Sequence, residues 1–194
     1  ARAALLTPIT KAFGTDTGIE VSQMGMQVHG GMGFIEETGA AQFLRDVRVT
    51  AIYEGTNGIQ AMDLVGRKMM DGGEAAFRLL DEIEANAEAA RGAHPDLAEA
   101  VWNAAESLRE ATEWMAAQSD MNDRFAGAVP YLRAFARVLG GHYHLTAAQT
   151  GDAARSAQAA FYIRRILPEH QALLAHAMSG AAGLVDVPLE ELGL

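Results

Sequence analysis

Apolar side chains recur along most of this chain at steps of three and four residues, the spacing that gathers them on one face of an α-helix. Leu97, Val101, Ala104, Leu108, Ala111 and Met115 form one such stripe. Tyr131, Phe135, Val138, His142 and Leu145 form a second, and Ala159, Tyr162, Ile163, Ile166 and Leu167 a third. A one-sided apolar helix must bury that face, so the three stripes predict helices packed on one another. The chain is alanine-rich, has 5 prolines in 194 residues, and contains no stretch alternating apolar and polar with period two. The expected fold class is therefore all-α, a helical bundle. Asp96, directly after Pro95, is the expected N-cap of the helix that carries the first stripe.

The first 70 residues have a different texture. Glycine clusters at 14–18, 30–33 and 54–58 predict shorter helices with breaks between them, and the last of these helices is expected over 56–70. Asp71, Gly72 and Gly73 mark a composition break, and His94 and Pro95 another. The expected organisation is one helical unit over 1–72 followed by a second helical bundle over 73–194, ending in a Gly/Pro-interrupted tail from Gly180. The chain opens in helical sequence without an initiator Met, which leads us to expect a piece of something longer.

Charge and cysteine narrow the classes. With Lys+Arg 15 against Asp+Glu 25, the formal charge is −10, the wrong sign for a surface that tracks phosphates, so no nucleic-acid partner is expected. With Cys 0, thiolate catalysis, disulfides and thiolate metal sites are excluded. No apolar run approaches the ~18 residues of a membrane span, and no signal-peptide pattern is present. We therefore expect a soluble chain with no membrane partner, placed in the cytoplasm. His142 and His144 stand two apart on a helix and so face different ways, which argues against a shared metal and leaves no metal site expected. Trp102, Trp114, Phe135 and Phe161 read as core or subunit interface, and Met24, Met26 and Met32 as packing.

Three elements carry candidate chemistry, in this order: Gln27, Val28, His29, Gly30, Gly31, Met32, Gly33, Phe34; then Arg45, Asp46; then Ile52, Tyr53, Glu54, Gly55, Thr56, Asn57, Gly58, Ile59, Gln60. Gln27 would end a helix, and the glycines behind it bare backbone N–H groups to a polar ligand. No strand precedes them, so a βαβ nucleotide fold is a poor fit. Thr56 is placed to open the next helix, whose free N–H groups favour an anion or an electron-rich oxygen. Glu54 stands on the connection just before it.

Together these elements resemble the acyl-CoA dehydrogenase family, whose C-terminal helical domain carries Gln-x-x-Gly-Gly-x-Gly-Phe, then Arg-Asp, then Tyr-Glu-Gly-Thr-x-x-Ile-Gln. The resemblance is carried by residues 19–70. It implies an FAD enzyme that removes two hydrogens across the α and β carbons of an acyl-CoA thioester, with Glu54 as the base that takes the α-proton. It further implies that Gln27, Val28, His29, Gly30 and Gly31 contact the ADP part of a flavin held mainly by a neighbouring subunit. Thr56, Asn57 and Gly58 would contact the flavin of the same subunit, Tyr53 would pack near its ring, and Gly55 would line the thioester site. Arg45 and Asp46 would form a structural pair. A homo-oligomer, dimer or tetramer, and an electron-transfer flavoprotein as acceptor follow from the same resemblance, and residues 73–194 resemble the extra helical domain of longer members. One departure stands out: many relatives have Arg where this chain has Gly66, with Arg67 next. The strand-rich part that cradles the flavin ring in the family is not in this sequence, so the chain is expected to be a C-terminal fragment, inactive and colourless alone. Two alternatives remain: a helical assembly module without catalysis, and an acyl-CoA oxidase on the same fold.

Overall fold

The computed structural model describes residues 1–184 and 188–193. The helices are α1 (Arg2–Val28), α2 (Ala40–Arg48), α3 (Asn57–Val65), α4 (Glu74–Ala90), α5 (Pro95–Ala117), α6 (Met121–Ala126), α7 (Ala128–Ala148), α8 (Ala153–Phe161) and α9 (Glu169–Ala177). No strand occurs among the described residues, in agreement with the all-α expectation. None of these helices is long and apolar enough to cross a membrane.

α7 is the axis of the bundle. Its predicted stripe, Tyr131, Phe135, Val138, His142 and Leu145, is buried throughout, and α1, α3, α4, α5, α8 and α9 all pack around it. All six residues of the α5 stripe are buried as well. The third stripe is only half so. Ala159, Ile163 and Leu167 are buried, but Tyr162 and Ile166 are partly exposed. The cause is a π turn over Tyr162–Ile166, in which the Leu167 N–H donates to the Tyr162 carbonyl at 2.9 Å. The wider turn shifts the register of the face that a strict helical period anticipates. A single hydrophobic core joins Leu5, Ile9, Leu64 and Val65 to Leu80, Val101 and Phe135, and so runs across residue 72.

Several local expectations are corrected. α1 continues unbroken through Gly14 and Gly18. At Gly18 the missing side chain makes room for a neighbour, since a Cβ there would lie 2.9 Å from Val47 Cγ2 of α2. The helix expected over 56–70 stops at Val65, and a separate 3-10 turn covers Arg67–Met69. His94, not Asp96, is the N-cap of α5; Pro95 takes the first helical position and Asp96 lies in the first turn. Phe161 is exposed, and Trp102 and Trp114 are half-buried against the core. Met24 and Met32 are exposed, so the packing expected of them is not made within the described residues. Of the interrupted tail, a 3-10 turn covers Leu189–Leu192; Val185, Asp186, Val187 and Leu194 lie outside the described residues.

Candidate functional site

The predicted site residues fall into two clusters along one long helix, α1. The loop of Glu54 is tied to α1 at Lys11, whereas the glycine turn begins where α1 ends at Val28. At ~1.5 Å rise per residue the two attachment points stand about 25 Å apart along the helix axis.

At the first cluster, the 3-10 turn Val49–Ala51 and the residues after it lead into Glu54, and α3 follows. Glu54 has φ 54° and Gly55 φ 84°; Glu54 is the one non-glycine residue at positive φ among the described residues. A left-handed conformation costs an L-residue with a Cβ about 1–2 kcal/mol, so something must hold it there. The Glu54 carbonyl accepts from Gln60 Nε2 at 3.0 Å, and the Gly55 carbonyl accepts from Lys11 Nζ at 2.8 Å. The Glu54 side chain is exposed, and among the described residues no donor or cation lies against its carboxylate. Tyr53 is half-exposed beside it.

Thr56 occupies the N-cap position of α3, as expected, but its side chain makes no capping bond. Its neighbour Asn57 is the buttress. Asn57 Nδ2, with two protons to donate, lies 2.6 Å from Asp16 Oδ1, 2.9 Å from Thr15 Oγ1 and 3.2 Å from the Ala12 carbonyl, while Asn57 Oδ1 accepts from Lys11 Nζ at 2.9 Å. The amide of Asn57 is thus engaged with α1, and Gly58 beside it is exposed. Lys11, Thr15 and Asp16 had no signal in the sequence beyond an ordinary polar helix face. They lie more than forty residues from the loop they hold, and no local pattern announces such a contact.

At the second cluster, Gln27 and Val28 close α1 and are exposed, and His29 Nδ1 lies 2.8 Å from the Gly25 carbonyl. Gly30, at φ 58°, and Gly31 have open space where a side chain would be. Gly33 does not: it is buried, and a Cβ there would lie 2.1 Å from the Met26 carbonyl oxygen, so only glycine lets this turn fold back on α1. Beside the turn, Val21, Ser22 and Gly25 of α1 and His29 just after it face Thr38, Ala40 and Phe43 across a cavity of about 400 Å³. Thr38 Oγ1 is buried with no hydrogen-bond partner. Around it the surface is apolar, with Val28 at 85 %, Phe34 at 79 % and Phe43 at 71 % exposed.

Arg45 and Asp46 do not pair with each other. Neighbours on a helix point apart, and both instead meet Gln42, with Arg45 also bridging to Glu36 at 3.2 Å. Gly66 lies against α6: a Cβ there would stand 3.0 Å from the Met62 carbonyl oxygen, 3.6 Å from Phe125 and 3.7 Å from Met121. Arg67 is instead paired with Asp63 at 2.6 Å and holds that carboxyl below the usual carboxylate range. His142 and His144 face apart as expected: His142 Nδ1 lies 3.2 Å from Asn86 Nδ2, and the His144 ring stacks on Tyr162 at 4.5 Å.

Residues 2–70 match the family described as acyl-CoA dehydrogenase, C-terminal domain, and residues 79–188 match the one described as acetyl-CoA dehydrogenase C-terminal like. The chain belongs to the acyl-CoA dehydrogenase family. It is 44% identical over 136 residues to a 3-methylmercaptopropionyl-CoA dehydrogenase of Ruegeria pomeroyi, a match covering 67% of this chain and 23% of that protein. It is 31% identical over 186 residues to a butyryl-CoA dehydrogenase of Syntrophomonas wolfei, covering 84% of this chain and 30% of the relative. A mitochondrial very long-chain specific acyl-CoA dehydrogenase of Rattus norvegicus is 39% identical over 66 residues, covering 34% of this chain and 10% of the relative. This acyl-CoA dehydrogenase chain therefore spans less than a third of these relatives, and its two family matches leave 71–78 between them.

Proposed function

We propose that this chain supplies the catalytic base and part of the flavin contacts of an acyl-CoA dehydrogenase that introduces an α,β double bond into an acyl-CoA thioester. Glu54 takes the proton from the carbon next to the thioester carbonyl. The α-hydrogen of a thioester is only weakly acidic, so the base must be held within reach of it and the charge developing on the carbonyl oxygen must meet a donor. The Glu54 N–H is that donor from this chain, and Gly55 lines the same site. What carries the proposal is the conformation of Glu54. A glutamate is kept at positive φ by two side-chain bonds to consecutive carbonyls, with its carboxylate uncommitted; strain of this kind persists where surrounding structure maintains it for a purpose.

The residues present also fit a flavin. The open backbone at Gly30 and Gly31 and the orphaned Thr38 hydroxyl beside a 400 Å³ cavity suit a polar ligand that meets main chain directly. When bound, FAD supplies the acceptor for the hydride from the β carbon. Gln27, Val28, His29, Gly30 and Gly31 would hold the ADP portion of one flavin, and Thr56, Asn57 and Gly58 would border another. Separation of the two clusters by about 25 Å along α1 supports assignment to two different flavins and thus to a homo-oligomer. The exposed apolar side chains of Val28, Phe34 and Phe43 support the same conclusion. Residues 73–194 would act as a second helical unit that shares one core with the first, and their packing on α1 and α3 would steady the part of α1 that holds the Glu54 loop.

Replacing Glu54 by Gln in the complete flavin-loaded enzyme tests this directly. Turnover of acyl-CoA esters is expected to fall by about 10²–10⁴-fold, the usual contribution of general base catalysis, with flavin content unchanged. Turnover at the wild-type rate would remove Glu54 from the mechanism.

A further inference from the structure

We infer that Lys11 is a positioning residue for Glu54, acting through the Gly55 carbonyl in concert with Gln60 at the Glu54 carbonyl; this rests on Glu54 being the base. Lys11 is half-buried on the face of α1 that meets α3, one residue before the buried Ala12. Its ammonium has two acceptors, the Gly55 carbonyl at 2.8 Å and Asn57 Oδ1 at 2.9 Å. Bonds from an ionised donor are roughly twice as strong as neutral ones, so this is a firm tie between α1 and the loop. Asn57 is itself fixed by Thr15 at 2.9 Å and Asp16 at 2.6 Å, which leaves the Lys11 head group little freedom to follow a moving loop.

The consequence follows from peptide geometry. In a trans peptide the N–H points opposite to the C=O that precedes it, and there is no cis bond among the described residues. Turning the Glu54 carbonyl to Gln60 turns the Gly55 N–H away from Gln60. Turning the Gly55 carbonyl to Lys11 turns the Thr56 N–H away from α1. Two consecutive peptide planes are set from behind, one by each side chain: the first joins the Cα atoms of Glu54 and Gly55, and the second leads from the Cα of Gly55 to Thr56. Gln60 thus fixes one of the two planes that set where the Glu54 side chain leaves the backbone, and Lys11 fixes the plane after it, so that the first cannot swing with the loop. Gln60 adds a steric stop, with its Nε2 3.0 Å from where a Cβ on Gly55 would be.

The test uses the complete flavin-loaded enzyme. Lys11→Met keeps the length of the side chain and removes the donor. A displacement of a reacting group by about 1 Å costs on the order of 10²-fold, so kcat should fall about 10- to 100-fold while KM and flavin content stay within about twofold. Lys11→Arg, which retains a charged donor, should recover most of the lost kcat. Gln60→Met should repeat the pattern through the other carbonyl and keeps the inference testable if Lys11→Met does not fold. In a Glu54→Gln background Lys11→Met should cost nothing further, because residues acting through one group are not additive. Unchanged kcat in Lys11→Met and Gln60→Met, or an undiminished extra loss in the Glu54→Gln background, would overturn the inference. Full activity of Glu54→Gln alone would instead overturn the assignment of the base, which separates the two failures.

Discussion

Thr112 and Tyr131 offer a quantitative test of how the bundle is held together. Both are 0% exposed. The Thr112 hydroxyl lies 2.7 Å from the Leu108 carbonyl and 2.8 Å from the Tyr131 hydroxyl, joining α5 to the axial helix α7. A threonine hydroxyl has one proton, which goes to the carbonyl, so Thr112 must accept from Tyr131. Burial also pushes the Tyr131 phenol up, out of reach of ionisation while the fold persists. The two single substitutions are then unequal. Thr112→Val strands the Tyr131 O–H in an apolar interior and should cost about 1–3 kcal/mol, whereas Tyr131→Phe leaves Thr112 bonded to Leu108 and should cost about 0.5–1.5 kcal/mol. With both changes no stranded group remains, so the double variant should be close to Tyr131→Phe, with a coupling on the order of 1 kcal/mol. Urea unfolding followed by far-ultraviolet circular dichroism, at constant m-value, measures all four corners. A Tyr131→Phe cost equal to or above that of Thr112→Val, or simple additivity, would refute the assigned direction of the hydrogen bond.

Other consequences are equally concrete. Burial pushes the imidazoles of His142 and His170 down from 6.5, partly offset at His142 by Glu82 and at His170 by its bond to the Leu167 carbonyl. Both therefore favour the fold in their neutral form: their contribution is complete above about pH 6.5 and is lost as pH falls below it, when the unfolded chain takes up protons first. Unfolding free energy measured between about pH 7.5 and 5 should decline, and less steeply in a His142→Asn, His170→Asn variant. Gly33→Ala should destabilise the glycine turn by about 1–3 kcal/mol because its Cβ meets the Met26 carbonyl at 2.1 Å, whereas Gly31→Ala, with open space around it, should leave thermal stability unchanged. Calorimetry of the two variants separates these outcomes.

The helices of the second half were legible because their apolar period is nearly unbroken. α5 and α7 bury what the spacing says they bury. Glycines were the main source of error. Gly14 and Gly18 carry the same local signal as the cluster at 30–33, yet the first pair sits inside a 27-residue helix. Only the approach of Val47 explains why Gly18 is small, and that contact is tertiary. The π turn at Tyr162 was illegible for a related reason, since one widened turn leaves the sequence period intact while rotating the face it describes. At the site, the motif residues themselves were plain in the sequence, and the division of labour among them was not. Thr56 holds the N-cap position expected of it but makes no side-chain bond there, whereas Asn57, through Lys11, Thr15 and Asp16, anchors that helix start. Polar contacts spanning some forty residues depend on where α1 and α3 cross, which no window of sequence contains.

The assignment of Glu54 rests on proton removal from carbon, and that event can be watched apart from hydride transfer. The complete enzyme is incubated with an acyl-CoA in deuterated water and label at the α carbon is followed by mass spectrometry. Wild-type protein should introduce solvent deuterium, and Glu54→Gln protein with the same flavin content should do so about 10²-fold more slowly or less. Equal rates of exchange in the two proteins would contradict the account.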